Sequence, residues 1–179
     1  MFTTPAPGYA GMFGVGYLMQ ILAHVETHEA TFTEKKSLAL LAEPLLSSGT
    51  LRYRRPDYVE RITIKPQYER FLYEKGTITI EADGRQRQFQ AQNQPALAAL
   101  IESVRATLAG DEEALRRHYT LQVSGMAKKW VLEMTPTEPD VGKRIRWIRI
   151  SGAQERLQQV EIVETSDDRT VMTIDTIRH

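Results

Sequence analysis

Few residues in this chain could do chemistry, and their spacing decides what that chemistry is. His24 and His28 stand four apart around Glu26, which would put two imidazoles on one face of a helix. A zinc hydrolase helix also needs its glutamate directly after the first histidine. Val25 holds that place, so the pair reads as two surface histidines at a helix end. His118 and His179 have no evident partners. The glycines of Gly8 to Gly16 lack the Gly-Lys-Ser/Thr ending and the preceding strand of a phosphate loop. Ser124-Gly125 has no nucleophile-elbow context, and Asp111-Glu112-Glu113 suits a helix start favoured by the macrodipole. Glu161 and Glu164 are a carboxylate pair to which the sequence assigns no separation. The reading is a chain with no catalytic residues, no metal site and no cofactor.

Aromatic residues offer a second kind of chemistry. Trp130 and Trp147, with Tyr53, Tyr58, Phe71 and Tyr73, could stack on single-stranded nucleic acid or sugar. Against nucleic acid stands the charge: 23 Lys+Arg balance 23 Asp+Glu, so the long-range field that draws proteins to phosphate is missing. The cluster Arg52, Arg54, Arg55 does not restore it. Aromatics that alternate along strands belong to a core or a cavity wall.

The elements that position these residues must fit within 179 residues, 41% hydrophobic and 8% aromatic. Such a composition excludes disorder and fits one ordinary soluble domain. A chain of this size buries roughly 70% of the surface its unfolded form exposes, so a core with a modest internal cavity is feasible. With no cysteine, disulfides, thiolate zinc sites and thiol nucleophiles are excluded, and redox chemistry does not identify the compartment. Met1 to Val25 carries no Lys, Arg, Asp or Glu. Its apolar part, Gly11 to Val25, is broken by Gly14 and Gly16, falls short of the roughly 20 residues that span a bilayer, and lacks the basic start of a signal peptide. Residues 1–16 therefore read as a flexible leader, the remnant of a removed or mis-started export signal, and residues 17–179 as one domain.

Leu18, Ile21, Leu22 and Val25 fall at i, i+3, i+4 and i+7, which predicts an amphipathic helix from about Tyr17 to Glu26. Alternating segments follow at Ala30–Lys36, weakly at Leu38–Ala42, then at Leu45–Arg54, Tyr58–Ile64, Glu69–Glu74, Thr77–Ala82 and Arg85–Gln90. Asp83-Gly84 is the sharpest turn signal, because both central residues of a type I′ turn need positive φ. Gln94-Pro95 opens a second helix whose stripe of Leu97, Leu100, Ile101, Val104 and Leu108 runs to Gly110. A shorter helix is expected from the Asp111 cap through Arg117. Strands resume at Tyr119–Met126, Lys129–Thr135, Arg144–Ser151, Arg156–Glu164 and Thr170–Ile177. The order sheet, helices, sheet is α+β, and about eleven short antiparallel strands are more than a flat sheet holds without curling. A curled sheet has an inside. Two amphipathic helices are available to cover it.

At this point the residues resemble a family. ATFTEKK (Ala30 to Lys36) after a short helix, then SSGTLRYRRPDYVERITIKP (Ser47 to Pro66), are similar to the LolA-like outer-membrane lipoprotein carriers of Gram-negative bacteria. WVLEMTPTEP (Trp130 to Pro139), IRWIRISG (Ile145 to Gly152) and the acidic turn before RTVMTI (Arg169 to Ile174) look like that family's last strands. The resemblance implies a half-open, strongly curved antiparallel β-barrel of about eleven strands, covered by a helical lid, LolA/LolB-like. It also implies a periplasmic, non-enzymatic, monomeric carrier whose interior takes up acyl chains of a lipoprotein or another lipid. An inner-membrane donor complex and an outer-membrane acceptor would be its partners, and nucleic acid would not. In the family the arginine before the strand-ending proline latches barrel to lid; the matching residue is Arg55. Val59 matches an apolar residue near the cavity mouth. Leu18, Ile21, Leu22, Leu97, Leu100, Ile101 and Val104 are the expected cover, and Ile62, Ile64, Trp130 and Leu132 the expected wall. The sequence departs from the family at Glu74-Lys75-Gly76, where an Asp-Gly turn is usual, and at Arg61, where an aromatic is. Both mark a divergent member with a differently shaped cavity. A lipid-sensing domain of the same fold and an envelope hydrolase are the alternatives.

Overall fold

The structure is a computed structural model that describes residues 13–177. In chain order the elements are α1 (Val15–Leu22), β1 (Thr27–Ser37), β2 (Leu45–Arg54), β3 (Tyr58–Lys65), β4 (Glu69–Glu74), β5 (Thr77–Ala82) and β6 (Arg85–Gln90). After a short 3-10 turn come α2 (Pro95–Ala109), α3 (Glu112–His118), β7 (Tyr119–Met126), β8 (Lys129–Pro136), α4 (Pro139–Gly142), β9 (Ile145–Ala153), β10 (Arg156–Glu164) and β11 (Arg169–Thr176). The strands form one antiparallel sheet of order β6-β5-β4-β3-β2-β1-β11-β10-β9-β8-β7. The first and last strands meet in the middle, and β6 and β7 are the edges. The sheet is curved and not closed, an α+β half-barrel of the class expected. The chain that links its two edges is the helical segment, which crosses the hollow side.

Local signals explain the elements. Asp83 and Gly84 have φ of 53° and 69°, as a tight hairpin requires. Pro95 stands in the first turn of α2, and Gly110 ends it in the left-handed region at φ 65°. A Cβ on Gly110 would overlap the Met19 carbonyl and the Ala23 backbone, so this glycine also lets α1 and α2 approach closely. Asp111 caps α3 by accepting from Ala114 N at 3.0 Å.

Four expectations need correction. The first helix runs Val15–Leu22 rather than Tyr17–Glu26, so Val15 and Gly16 of the expected leader are helical, while residues 1–12 of that leader lie outside the described residues. Leu38–Ala42 is no strand but most of the β1–β2 connection. A short apolar run carries no period long enough to separate strand from loop. His28 lies on β1, beyond the helix, so its four-residue spacing from His24 does not bring the two onto a helical face. His118 does have a partner, the Glu138 carboxylate at 2.5 Å from Nδ1.

Two apolar clusters share the hollow face. The larger joins α1, α3 and the C-terminal part of α2 to Trp130, Leu132, Met134, Ile148 and Ile150 of β8 and β9. The smaller sets Leu97 and Ile101 of α2 on Ile78, Phe71 and Phe89 of β4 to β6. One helix thus spans both arms of the curled sheet. Between the arms, Gly49 of β2 sits at a register shift opposite β3. A Cβ there would overlap the Ile62 carbonyl and meet the Phe32 ring at 3.0 Å. Gly49→Ala is therefore expected to destabilise the fold by about 2 kcal/mol or more, read as a lower midpoint in urea denaturation.

Candidate functional site

Register separates the residues that face the helices from those that do not. Across β1, β2 and β3, His28, Tyr53 and Val59 are cross-strand neighbours, as are Ala30, Leu51 and Arg61, and side chains two apart share a face. Val59 packs against the main cluster. Ile62 and Ile64 follow the opposite parity with Tyr58 and Glu60, on the outer face, and Ile64 is 56% exposed. Their expected place in the cavity wall is thereby corrected: in a strand, a residue three or five positions from Val59 cannot point the same way. Trp130 and Leu132 are fully buried on the inner face. Leu18 and Leu22 are fully buried, Ile21 half-buried. Leu100 and Val104 pack on the main cluster, Leu97 and Ile101 in the smaller one.

Under the C-terminal half of α2 a hollow of about 60 Å³ remains, lined by Leu51, Tyr53, Val59, Val104, Leu108 and Ile174 among others. That is space for about two waters at roughly 30 Å³ each. Sites that hold a small organic ligand run to about 300–1,000 Å³, so in this form the lid is shut on the inner face. Further along the same face, Arg61 donates from Nη2 to Glu34 Oε1 at 2.9 Å and lies over the Phe32 ring at 4.7 Å from its centroid. This pair borders an open groove of about 630 Å³ that also touches Ser47, Thr63 and Tyr68. The inner face is thus apolar beneath the helices and polar at the opposite end.

The lid is tied to the β2–β3 turn. Arg55 donates from Nη1 to the carbonyl of Ala23, the C-cap of α1, and its backbone N–H bonds to Glu26 O at 2.9 Å. Arg105 of α2 donates from Nη1 to Pro56 O at 2.9 Å, so consecutive residues of one turn hold both helices. Arg105 is nearly buried, and its guanidinium also meets Glu102 at 2.7 Å and Asp111 at 3.4 Å. Burial works against its charge, yet the Glu102 and Asp111 carboxylates outweigh that and raise its pKa. Tyr119 of β7 adds a third tie, donating to Ala99 O at 2.7 Å; burial pushes its phenol up. Sequence reasoning missed Arg105. Its signal was a charge standing beside Val104 inside the apolar stripe that runs from Ile101 to Leu108, where a surface arginine has no place.

Residues 8–174 match the model of the family described as outer membrane lipoprotein carrier protein LolA-like. The chain belongs to this family. No curated protein matches it. Among solved structures it is similar to a DUF1329 family protein from Desulfovibrio piger, at 10% identity and TM-score 0.50, over 90% of this chain and 88% of that one. It is also similar to a LolA superfamily protein from Nitrosomonas europaea, at 9% identity and TM-score 0.47, over 93% and 94%. The lipoprotein LppX of Mycobacterium tuberculosis aligns at 11% identity and TM-score 0.40, over 90% and 93%. Identities this low speak to the fold alone. Among the described residues no helix is long and apolar enough to cross a membrane.

His28 and Tyr53 are among the polar residues that line the small hollow. Burial holds the His28 pKa below 6.5, with Glu155 opposing, and pushes the Tyr53 phenol up. A histidine kept neutral by folding stabilises the native state fully above its unfolded pKa of 6.5. That contribution is lost as pH falls from there through the lower native value, because the unfolded chain binds the proton first. Urea midpoints should therefore fall between about pH 7.5 and about pH 5, and His28→Asn should flatten part of that fall.

Proposed function

We propose that this protein is a non-enzymatic carrier of the cell envelope, working in the periplasm, that takes acyl chains of a lipoprotein or another lipid beneath the α1–α2 lid. In this reading it receives cargo from an inner-membrane donor and gives it to an outer-membrane acceptor. The observation that carries the reading is an apolar inner face covered by helices and tied at one turn by Arg55 and Arg105, with a hollow of about 60 Å³ beneath α2. Leu18, Ile21 and Leu22 on α1, with Leu97, Leu100, Ile101 and Val104 on α2, are the cover. Val59, Trp130 and Leu132 are wall.

The energetics favour a lid that packs on the hollow when cargo is absent. Burial is worth about 0.8 kcal/mol per methylene, so a fully buried sixteen-carbon chain would gain roughly 13 kcal/mol gross. A carrier holding cargo that tightly could not hand it on. Loading here must first separate the helices from the sheet and break the polar ties, which subtracts from the gain. Arg55 is the latch in this scheme, and Arg105 is a second one. The two differ in character, because removing Arg105 leaves Glu102 half-buried without its cation, a change that costs about 3–5 kcal/mol where a buried pair is broken.

Native mass spectrometry of the protein purified from an envelope-bearing host should show co-purified lipid. Arg55→Leu should keep the fold and change retention or transfer of a labelled lipid, whereas Arg105→Leu should lower the denaturation midpoint as well. Uptake and release unchanged in Arg55→Leu would remove the latch, and a protein free of lipid that takes up none in vitro would remove the carrier.

A further inference from the structure

Nine large apolar side chains are strongly exposed among the described residues, and six of them stand at one end of the sheet. Leu40, Leu41, Leu45 and Leu46 belong to the β1–β2 connection and the first residues of β2; Ile64 and Tyr68 flank the β3–β4 turn. β1 and β3 run in the same direction, so the two connections share an end, opposite to the turn that holds Arg55. Leu40 is 97% exposed and Leu46 66%. β2 begins at Leu45 opposite Lys36, whereas β3 reaches only to Ser48, so the tip projects past its neighbour on that side. It is a shaped projection: Leu41 N bonds to Leu38 O at 3.0 Å, and Ala39 N to Asp168 Oδ1 at 2.8 Å.

Cations stand at the base of the tip. An outer-face groove of about 680 Å³ is lined by Lys35, Lys65 and Arg169 together with Leu46. Among the described residues neither Lys35 nor Lys65 has a carboxylate partner, while Arg169 meets Glu161. Of the nearby acids, Glu34 turns to the inner face toward Arg61, Asp168 is occupied by the Ala39 N–H, Glu164 meets Lys36, Glu69 and Asp83 line the inner-face groove beside Tyr68, and Glu43 is the one carboxylate within the tip.

We infer that this end docks on an anionic lipid surface, with the leucine tip inserted and the lysines on phosphate headgroups. A stable protein interface covers about 800 Å² per partner with a complementary face, and a narrow tip of leucines presents no such face. It suits the headgroup boundary, into which apolar groups enter by about 5–10 Å. Tyr68 matches the preference of tyrosine for headgroup level, and the lysines match the attraction of basic residues to anionic leaflets. Leu45, Leu46 and Tyr68 also border the open inner-face groove, so docking brings that groove to the lipid surface.

Flotation with vesicles tests this without reference to cargo. The wild-type chain should bind phosphatidylcholine vesicles containing phosphatidylglycerol, bind phosphatidylcholine alone weakly, and release in raised salt. Leu40→Ser/Leu41→Ser and Lys35→Gln/Lys65→Gln should each lower the partition about tenfold or more, with unchanged circular dichroism. Absence of binding to either vesicle would overturn the inference, as would binding that the leucine variant leaves intact. A dimer in gel filtration that the leucine variant converts to monomer, without vesicle binding, would assign the tip to a second copy and overturn it too. The carrier reading fails separately: vesicle binding by a protein that never holds lipid would leave docking standing and remove transport.

Discussion

A curled sheet with two unpaired edges must have its inner face covered, and here the covering falls chiefly to one fifteen-residue helix. The rest of the structure follows from that constraint. α2 cannot pack on both arms of the sheet with one narrow stripe, so it divides: Leu97 and Ile101 serve β4 to β6, while Ala106, Leu108 and Ala109 serve the arm built on β7 to β10. Between the arms, over β1 to β3 and β11, the hollow opens beside Val104 and Leu108. A void under a helix that is well seated at both ends is the geometric result of asking a straight rod to line a curve.

Polar ties make such a seat specific without making it permanent. Burial of leucines is non-directional and would tolerate several settings of α2, whereas Arg105 on the Pro56 carbonyl and Tyr119 on the Ala99 carbonyl each fix one. A guanidinium has five donors in a rigid fork, so Arg105 joins its own helix, the α3 cap and the β2–β3 turn at once. The same turn receives α1 through Arg55. Both helices therefore depend on two consecutive residues, Arg55 and Pro56, that lie outside either helix. A helix pair held at one turn is coupled: disturbance of that turn reaches both covers before it reaches the sheet.

Much of this was legible in the sequence because it is written in short periods. Alternation placed ten of the strands within a residue or two, and Asp83-Gly84 fixed its hairpin through the backbone conformations it alone permits. Pro95 and Gly110 bracketed α2 for equally local reasons. What was lost is non-local. The face of β3 that looks inward is decided by its neighbours, and Ile62 and Ile64 look as apolar as Val59 until register assigns them outward. Leu38–Ala42 is apolar without being buried, because its end of the hairpin has nothing above it. Arg105 stands within the apolar stripe of α2, but the partner that gives this interior charge its place, the Pro56 carbonyl, lies forty-nine residues away and carries no local signal.

The two ends of the sheet are opposite in kind. At one end the Arg55–Asp57 turn holds the helices down through the hydrogen bonds of Arg55 and Arg105. At the other end the inner groove is open, its wall carries the Arg61–Glu34 pair, and leucines stand in solvent beyond it. Exposed leucines at a position that packing does not demand are a cost to solubility, and they sit where no helix could reach to cover them, since α2 ends its path on the β7 arm. Opening at the tied end requires breaking hydrogen bonds; access at the free end requires none. The inner face is therefore graded along the strands, from an open polar mouth at the free end to an apolar interior closed beneath the tied lid.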